Sequence, residues 1–253
     1  MPADPPRPPD SRAARAFRVG CTAIAIVVVE TIVCGIAMMP AMGLWAAAAS
    51  LPVTIVPRPV LFSVIAVPSY VAFAVTLMIV SPLASWLTRA RTVPSVDMRI
   101  DGLSWPLLAW ARYMAAIHVV RVFAGSLFRG SPLWTAYVRL NGARIGRRVY
   151  INTVHISDHN LLQLGDDVVI GSEVHISGHT VEGGVVKTAP VRLGSGVTVG
   201  LGTVLEIGVD AGAGCQIGAL SFVPKFTMLE GNATYVGAPV RRLKPDTTAA
   251  WSG

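Results

Sequence analysis

Residues 193–228 read LGSGVT VGLGTV LEIGVD AGAGCQ IGALSF VPKFTM when the chain is written in sixes. Every hexad opens on an aliphatic residue: Leu193, Val199, Leu205, Ala211, Ile217 and Val223. Glycine holds the second position in four of the six, and the fifth is small or β-branched at Val197, Thr203, Val209, Cys215 and Ser221. Helical periods do not give six, and simple alternation does not place glycine this way. A repeat this short indicates a solenoid: short strands joined by tight corners, three hexads to a triangular coil, coils stacked about 4.8 Å apart.

The same rule holds upstream in IGRRVY from Ile145, LGDDVV from Leu164 and IGSEVH from Ile170. These hexads resemble those of the hexapeptide-repeat acyltransferases. The resemblance covers about residues 141–243 and implies their left-handed parallel β-helix, an exception to the usual crossover handedness. It also implies homotrimers with sites between subunits.

The beat breaks widely after Ile176. After Ile170 and Ile176 the next aliphatic is due at residue 182, yet the pattern resumes at Leu193, eleven residues late. Loops inserted into a solenoid leave the coil and build its working face. This one, SGHTVEGGVVKTAPV, opens with Gly178-His179. Acyl transfer from a thioester needs a base to take the acceptor's proton, and histidine titrates near pH 7. The galactoside and maltose acetyltransferases place a histidine after the glycine that ends a coil, so the resemblance implies that His179 is the base.

Further matches follow from that likeness. IGALSFVPKFTMLEGNATYVGAPVRRL resembles the closing coil and the Gly-x-Pro segment beside the acyl-CoA, implying cofactor-side roles for Gly237, Ala238 and Pro239. Lys225, Arg241 and Arg242 are expected to meet coenzyme A phosphates. The N–H groups of Gly200 and Gly218 are expected to meet the pantetheine arm. Asn152, Asp158 and Asn160, in YINTVHISDHNLLQLGDDV, are the acceptor-side candidates. Val197 stands where some relatives place a tryptophan, which leaves a sugar acceptor open. The arrangement also resembles the acyltransferase-like C-terminal domains of poly-ε-lysine-type synthetases, which implies an amino acid or amine as acceptor.

His155, His159, His175 and His179 raise a competing zinc reading, since the γ-class carbonic anhydrases share the β-helix. Both pairs here are spaced His-x3-His, however. Side chains four apart on one strand lie about 13 Å apart, beyond local chelation at about 2.1 Å. No metal is expected. A membrane-tethered scaffold without catalysis is the third class.

The first half has a different solvent. The chain has 253 residues, 53% of them hydrophobic and 14% charged. Residues 1–140 carry twelve arginines against five acids, whereas 141–253 carry nine cations against nine acids. The basic surplus thus lies outside the solenoid, against a nucleic-acid-binding role. Cys21, Cys34 and Cys215 form no disulfide framework. Residues 1–16 read as a disordered terminus and 17–100 as a membrane region. Val19–Met39 and Val60–Leu87 are each long enough to cross a bilayer. The stretch between them, bracketed by Pro40 and Pro57, reads as interfacial or re-entrant. Residues 101–140 form an interfacial helical linker, with Trp105, Trp110 and Tyr113 suited to the headgroups. Residues 244–253 are a tail. Arg7, Arg12, Arg15 and Arg18 precede the first span and Arg89, Arg91 and Arg99 follow the second. By the positive-inside rule both ends face the cytoplasm and the chain crosses the inner membrane twice. The expectation is a membrane-anchored acyltransferase, acetyl-CoA its co-substrate, acting on a hydroxyl or amine of an envelope precursor or small molecule.

Overall fold

The computed structural model describes residues 12–52 and 57–243. Most of the expected N-terminal disordered stretch and all of the expected C-terminal tail lie outside the described residues. The chain divides into two compact units.

The first unit is built on apolar helices. Helix α1 spans Arg12–Ser50 and continues through Pro40. The segment read as re-entrant up to residue 50 is therefore helical and part of α1. Helix α2 spans Arg58–Leu87, with Pro57 as its N-cap and Pro68 and Pro82 inside it. Helix α3, Trp105–Phe128, contains a π-helical turn over Arg121–Gly125 and begins in this unit. All three are long and apolar enough to cross a membrane, one more than the two spans expected. This unit also holds strand β1, Asp97–Arg99, and the segment Val181–Lys187.

In the second unit a short helix, α4 (Pro132–Leu140), precedes the solenoid; Ser131 caps it by accepting the N–H of Trp134. The first coil comprises β2 (Arg144–Ile145), β3 (Tyr150–Ile151) and a bridge at Ile156. The second comprises β4 (Leu162–Leu164), β5 (Val169–Ile170) and β6 (His175–Ile176). Strands β7 (His179–Glu182) and β8 (Val185–Thr188) then leave the winding. It resumes with β9 (Val191–Leu193), β10 (Thr198–Val199) and β11 (Val204–Leu205), followed by β12 (Asp210–Ala211), β13 (Gln216–Ile217) and β14 (Phe222–Val223). The last coil has β15 (Met228–Leu229) and β16 (Thr234–Val236), and β17 (Arg241–Arg242) folds back antiparallel on β16.

Three sheets result, ordered β2-β4-β9-β12-β15, β3-β5-β10-β13-β16-β17 and β6-β11-β14. All coil-to-coil pairs are parallel, and the first hexad positions stack as columns. Ile151, Ile170, Val199 and Ile217 form one, and Ile176, Leu205 and Val223 another, each residue 2% exposed or less. The architecture is the expected one, apolar helices followed by a left-handed parallel β-helix.

Corner chemistry divides between two positions. The fourth residue of a hexad turns with positive φ, supplied by glycine at Gly196 and Gly202 and by other residues at Arg148, Glu173, Phe226 and Asn232. The second-position glycine serves stacking instead: a Cβ on Gly200 would lie 2.5 Å from the Ala219 nitrogen of the next coil.

Candidate active site

The winding breaks where expected. The Ala189 N–H donates to the Gly178 carbonyl at 3.0 Å, closing the base of the excursion. Its tip is a hairpin whose Gly183 and Gly184 both have positive φ, at 54° and 74°, the backbone that a two-residue turn between twisted strands requires. Strand β8 pairs antiparallel with β1, Met98 opposite Val186. The excursion and β1 together form an ordered three-stranded sheet, β1-β8-β7.

His179 is the first residue of β7, and its side chain is 22% exposed. Its Nδ1 lies 2.5 Å from Oδ2 of Asp158, a residue buried completely. An imidazole that donates Nδ1–H to this oxygen keeps Nε2 as its accepting nitrogen. Local packing holds the pair in place. Asp158 adopts a left-handed φ of 51° before the 3₁₀ turn His159–Leu161, and a Cβ on Gly178 would come within 2.8 Å of its Cβ. Glycine before His179 thus leaves room for the carboxylate that holds the imidazole. The Ser177 hydroxyl donates to the His179 carbonyl at 2.6 Å.

Asp158 was expected on the acceptor side. The structure instead places it behind the imidazole, closed to solvent. The sequence does carry a trace of this corner, since thirteen residues run from Ile151 to Leu164 where two hexads take twelve. Asn160 sits in the 3₁₀ turn next to Asp158, half-buried. Asn152 lies at another corner, its Oδ1 3.1 Å from where a Cβ on Gly130 would stand.

The Gly200 N–H donates to Ile217 O and the Gly218 N–H to Tyr235 O, both at 2.8 Å. These donors belong to the ladder between coils and are not presented to a pantetheine arm. Lys225 Nζ lies 3.8 Å from Glu206 Oε2. Gly237 turns at φ 99°, its N–H donating to Ser221 Oγ at 3.2 Å. Ala238 and Pro239 carry the chain back to β17, where Arg241 is exposed and Arg242 pairs with Glu230 at 2.5 Å. Val197 is fully buried and faces the core.

The other histidines serve separate places. His155 and His175 stack at 4.4 Å between centroids, and His155 Nε2 is 3.0 Å from Glu173, which also pairs with Arg129. Arg129 and then His155 hold the Glu173 carboxyl below its ordinary range. His159 is completely buried with its ring edge-on to Tyr137, and burial pushes its pKa down to about 4. Among the described residues no three His, Cys, Asp or Glu side chains converge as a metal site. Cys215 lies in the core, where burial raises its thiol to about 11, too high for a nucleophile at neutral pH.

In fold, the chain resembles the hexapeptide-repeat acyltransferases. A curated relative, the delta-poly-L-ornithine synthetase of Acinetobacter baumannii (strain AB307-0294), is 29% identical over 176 residues, which is 68% of this chain. The chain spans 13% of that relative's length. No family model matches. Among solved structures, a hexapeptide-repeat acetyltransferase from Vibrio cholerae O1 biovar eltor, complexed with acetyl coenzyme A, has a TM-score of 0.38 at 23% identity, covering 41% of this chain and 60% of that one. A maltose O-acetyltransferase from Clostridium difficile 630 has a TM-score of 0.39 at 17% identity, covering 53% and 86%. A galactoside acetyltransferase in complex with coenzyme A has 0.38 at 22%, covering 47% and 75%.

Proposed function

We propose that the chain is a membrane-anchored acyltransferase that moves an acyl group from a thioester to a hydroxyl or amine, with His179 as general base. The observation that carries this reading is the 2.5 Å contact of His179 Nδ1 with buried Asp158 at the base of the excursion. Asp158 fixes the tautomer and ring orientation, so that Nε2 takes the acceptor's proton as the acceptor attacks. The new acyl–oxygen or acyl–nitrogen bond forms as the carbon–sulfur bond breaks, and His179 returns the proton to the departing thiolate. The thioester, acetyl-CoA in this reading, supplies the activated carbonyl. No acyl-enzyme is invoked, since Cys215 is buried with a raised thiol pKa.

For the phosphates of coenzyme A the chain offers Lys225, Arg241 and Arg242 near its closing coil. Gly200 and Gly218 contribute corners without a side chain rather than donors. Asn160, next to Asp158, is kept as an acceptor contact, and Asn152 as a more distant one. A homotrimer with the site between copies is supported by apolar side chains exposed on the coils, Leu201 at 52%, Leu220 at 75% and Met228 at 82%. Helix α3 carries Arg112 and Arg121 and is the least apolar of the three candidate spans. We therefore keep two crossings, α1 and α2, with both ends on the cytoplasmic side, where acyl thioesters are made. The acceptor is an envelope precursor or other amphiphile held at the membrane.

A second reading is favoured by the curated relative, whose name states a polymer of ornithine. In it the acceptor is the amine of an amino acid or peptide, the donor carbonyl is an aminoacyl thioester, and the bond formed is an amide. His179 does the same work in both. Purified full chain given acetyl-CoA and assayed for released thiol tests the first reading, with His179→Ala as control. Wild-type turnover in that variant removes His179 from the mechanism. Absent thiol release from acetyl-CoA, with release from an aminoacyl thioester and an amine, selects the second.

A further inference from the structure

Away from His179, a cleft of about 470 Å³ opens between α4 and the first coil. Ser131, Thr135 and Arg139 line one side, and Arg147, Arg148 and Tyr150 the other. None of these residues takes part in the proposed chemistry. Arg147 gives Nε and Nη2 to Asp166, and Arg148 gives Nε and Nη2 to Asp167. Arg139 gives Nη2 to the Ile145 and Gly146 carbonyls. A guanidinium has five N–H groups, so each arginine keeps its Nη1 pair beyond these bonds. Three cations against two carboxylates leave the cleft positive. The surrounding sequence has the same bias: residues 129–157 contain five arginines and no acid.

The rim is apolar. Helix α4 turns Trp134, Tyr137 and Val138 inward, 1% exposed or less, and leaves Leu133 and Leu140 48% and 54% exposed. Spare guanidinium donors in a positive cleft suit the phosphate of an anionic headgroup. Chain connectivity supplies the source. Helix α4 starts four residues after Phe128, the end of a helix long and apolar enough to cross a membrane. Four residues reach about 14 Å at most, so with that helix lying in the interface, as two crossings by α1 and α2 require, α4 lies within reach of the lipid surface.

We propose that this cleft binds the phosphate of an anionic phospholipid, with Arg139, Arg147 and Arg148 as its donors. The proposal uses the membrane attachment of the preceding reading and none of its transferase chemistry. Native mass spectrometry of the full chain in detergent, titrated with short-chain phosphatidylglycerol, tests it. A cation at an anionic lipid surface contributes about fivefold in affinity. The Arg139→Gln/Arg147→Gln/Arg148→Gln variant should therefore retain phosphatidylglycerol at least tenfold more weakly, and phosphatidylcholine should bind wild type more weakly than phosphatidylglycerol. The Asp166→Asn/Asp167→Asn variant, which releases two guanidinium groups, should bind phosphatidylglycerol two- to fivefold more tightly. Equal retention by the triple variant, no gain in the aspartate variant, or equal binding of the two lipids overturns the site. Displacement of phosphatidylglycerol by inorganic phosphate at matched concentration overturns the lipid assignment in favour of a free anion.

Discussion

The regular coils and the interrupted coil use the same repeat for opposite ends. Through β9–β16 the corner N–H groups are committed to the coil above or below, as at Gly194, Gly200, Gly212 and Gly218. That stretch is a scaffold with a dry aliphatic interior and no buried ionisable carboxylate. Between Ile156 and Ala189 the pattern slips twice, once by a residue at the Asp158 turn and once by eleven at the hairpin. There the chain buries Asp158 and His159 completely and presents His179. Corner donors taken by the ladder are not left for a substrate, and in the reading proposed above the chemistry gathers where the winding lets go.

If the interrupted coil is the working part, His179→Ala should lower thiol-release turnover about 10³-fold while leaving far-UV circular dichroism unchanged. A drop of less than tenfold would break the contrast.

The buried ionisable groups give this coil a pH signature that the regular coils lack. The pKa of His159 is about 4 in the fold against an ordinary value near 6.5, so the unfolded chain takes up that proton first as pH falls. Its contribution to stability is complete above pH 6.5 and is lost between 6.5 and 4, on the order of 3 kcal/mol. Urea unfolding across that range should show the slope in wild type, and His159→Phe should flatten it.

Asp158→Asn keeps the shape of the corner but offers the imidazole an amide in place of a carboxylate. Turnover should fall about 10²-fold with KM nearly unchanged, because the loss falls on proton transfer. A rise in KM at unchanged turnover would return Asp158 to the acceptor side, where the sequence placed it.

In the regular coils the same size of change should act on stability alone. Gly200→Ala presses a methyl group against the next coil's backbone and should remove about 2 kcal/mol, with turnover per folded molecule preserved. The smallest effect belongs to the half-buried Lys225–Glu206 pair. Lys225→Ala should shift stability by less than about 1 kcal/mol and, in the acetyl-CoA reading, raise its KM about threefold.

The solenoid was legible because its period is written in single residues: an aliphatic every sixth place admits few other folds. The place of His179, as distinct from its proposed role, was legible because it sits at the one large break in that period. Its partner was not. Asp158 lies 21 residues away, and its orientation depends on a left-handed backbone at one residue and the absence of a Cβ at Gly178, neither of which shows as periodicity. The glycine donors were misplaced for a related reason. Glycine at position two looks like an opening for a ligand, whereas its Cα faces the next coil and its N–H is already bonded. In the apolar half, Pro40 read as a boundary because proline removes one helical donor, but the chain runs helically through it.

The pairing of β1 with β8 has a practical result for anyone cutting the chain. A soluble fragment begun after residue 100, chosen to discard α1 and α2, would also discard Asp97–Arg99. The strand Val185–Thr188 would be left with a bare edge, and the hairpin whose first residue is His179 would lose a third of its sheet. Activity lost on such trimming would say nothing about whether the oily segments take part in the reaction, until those three residues had been grafted back.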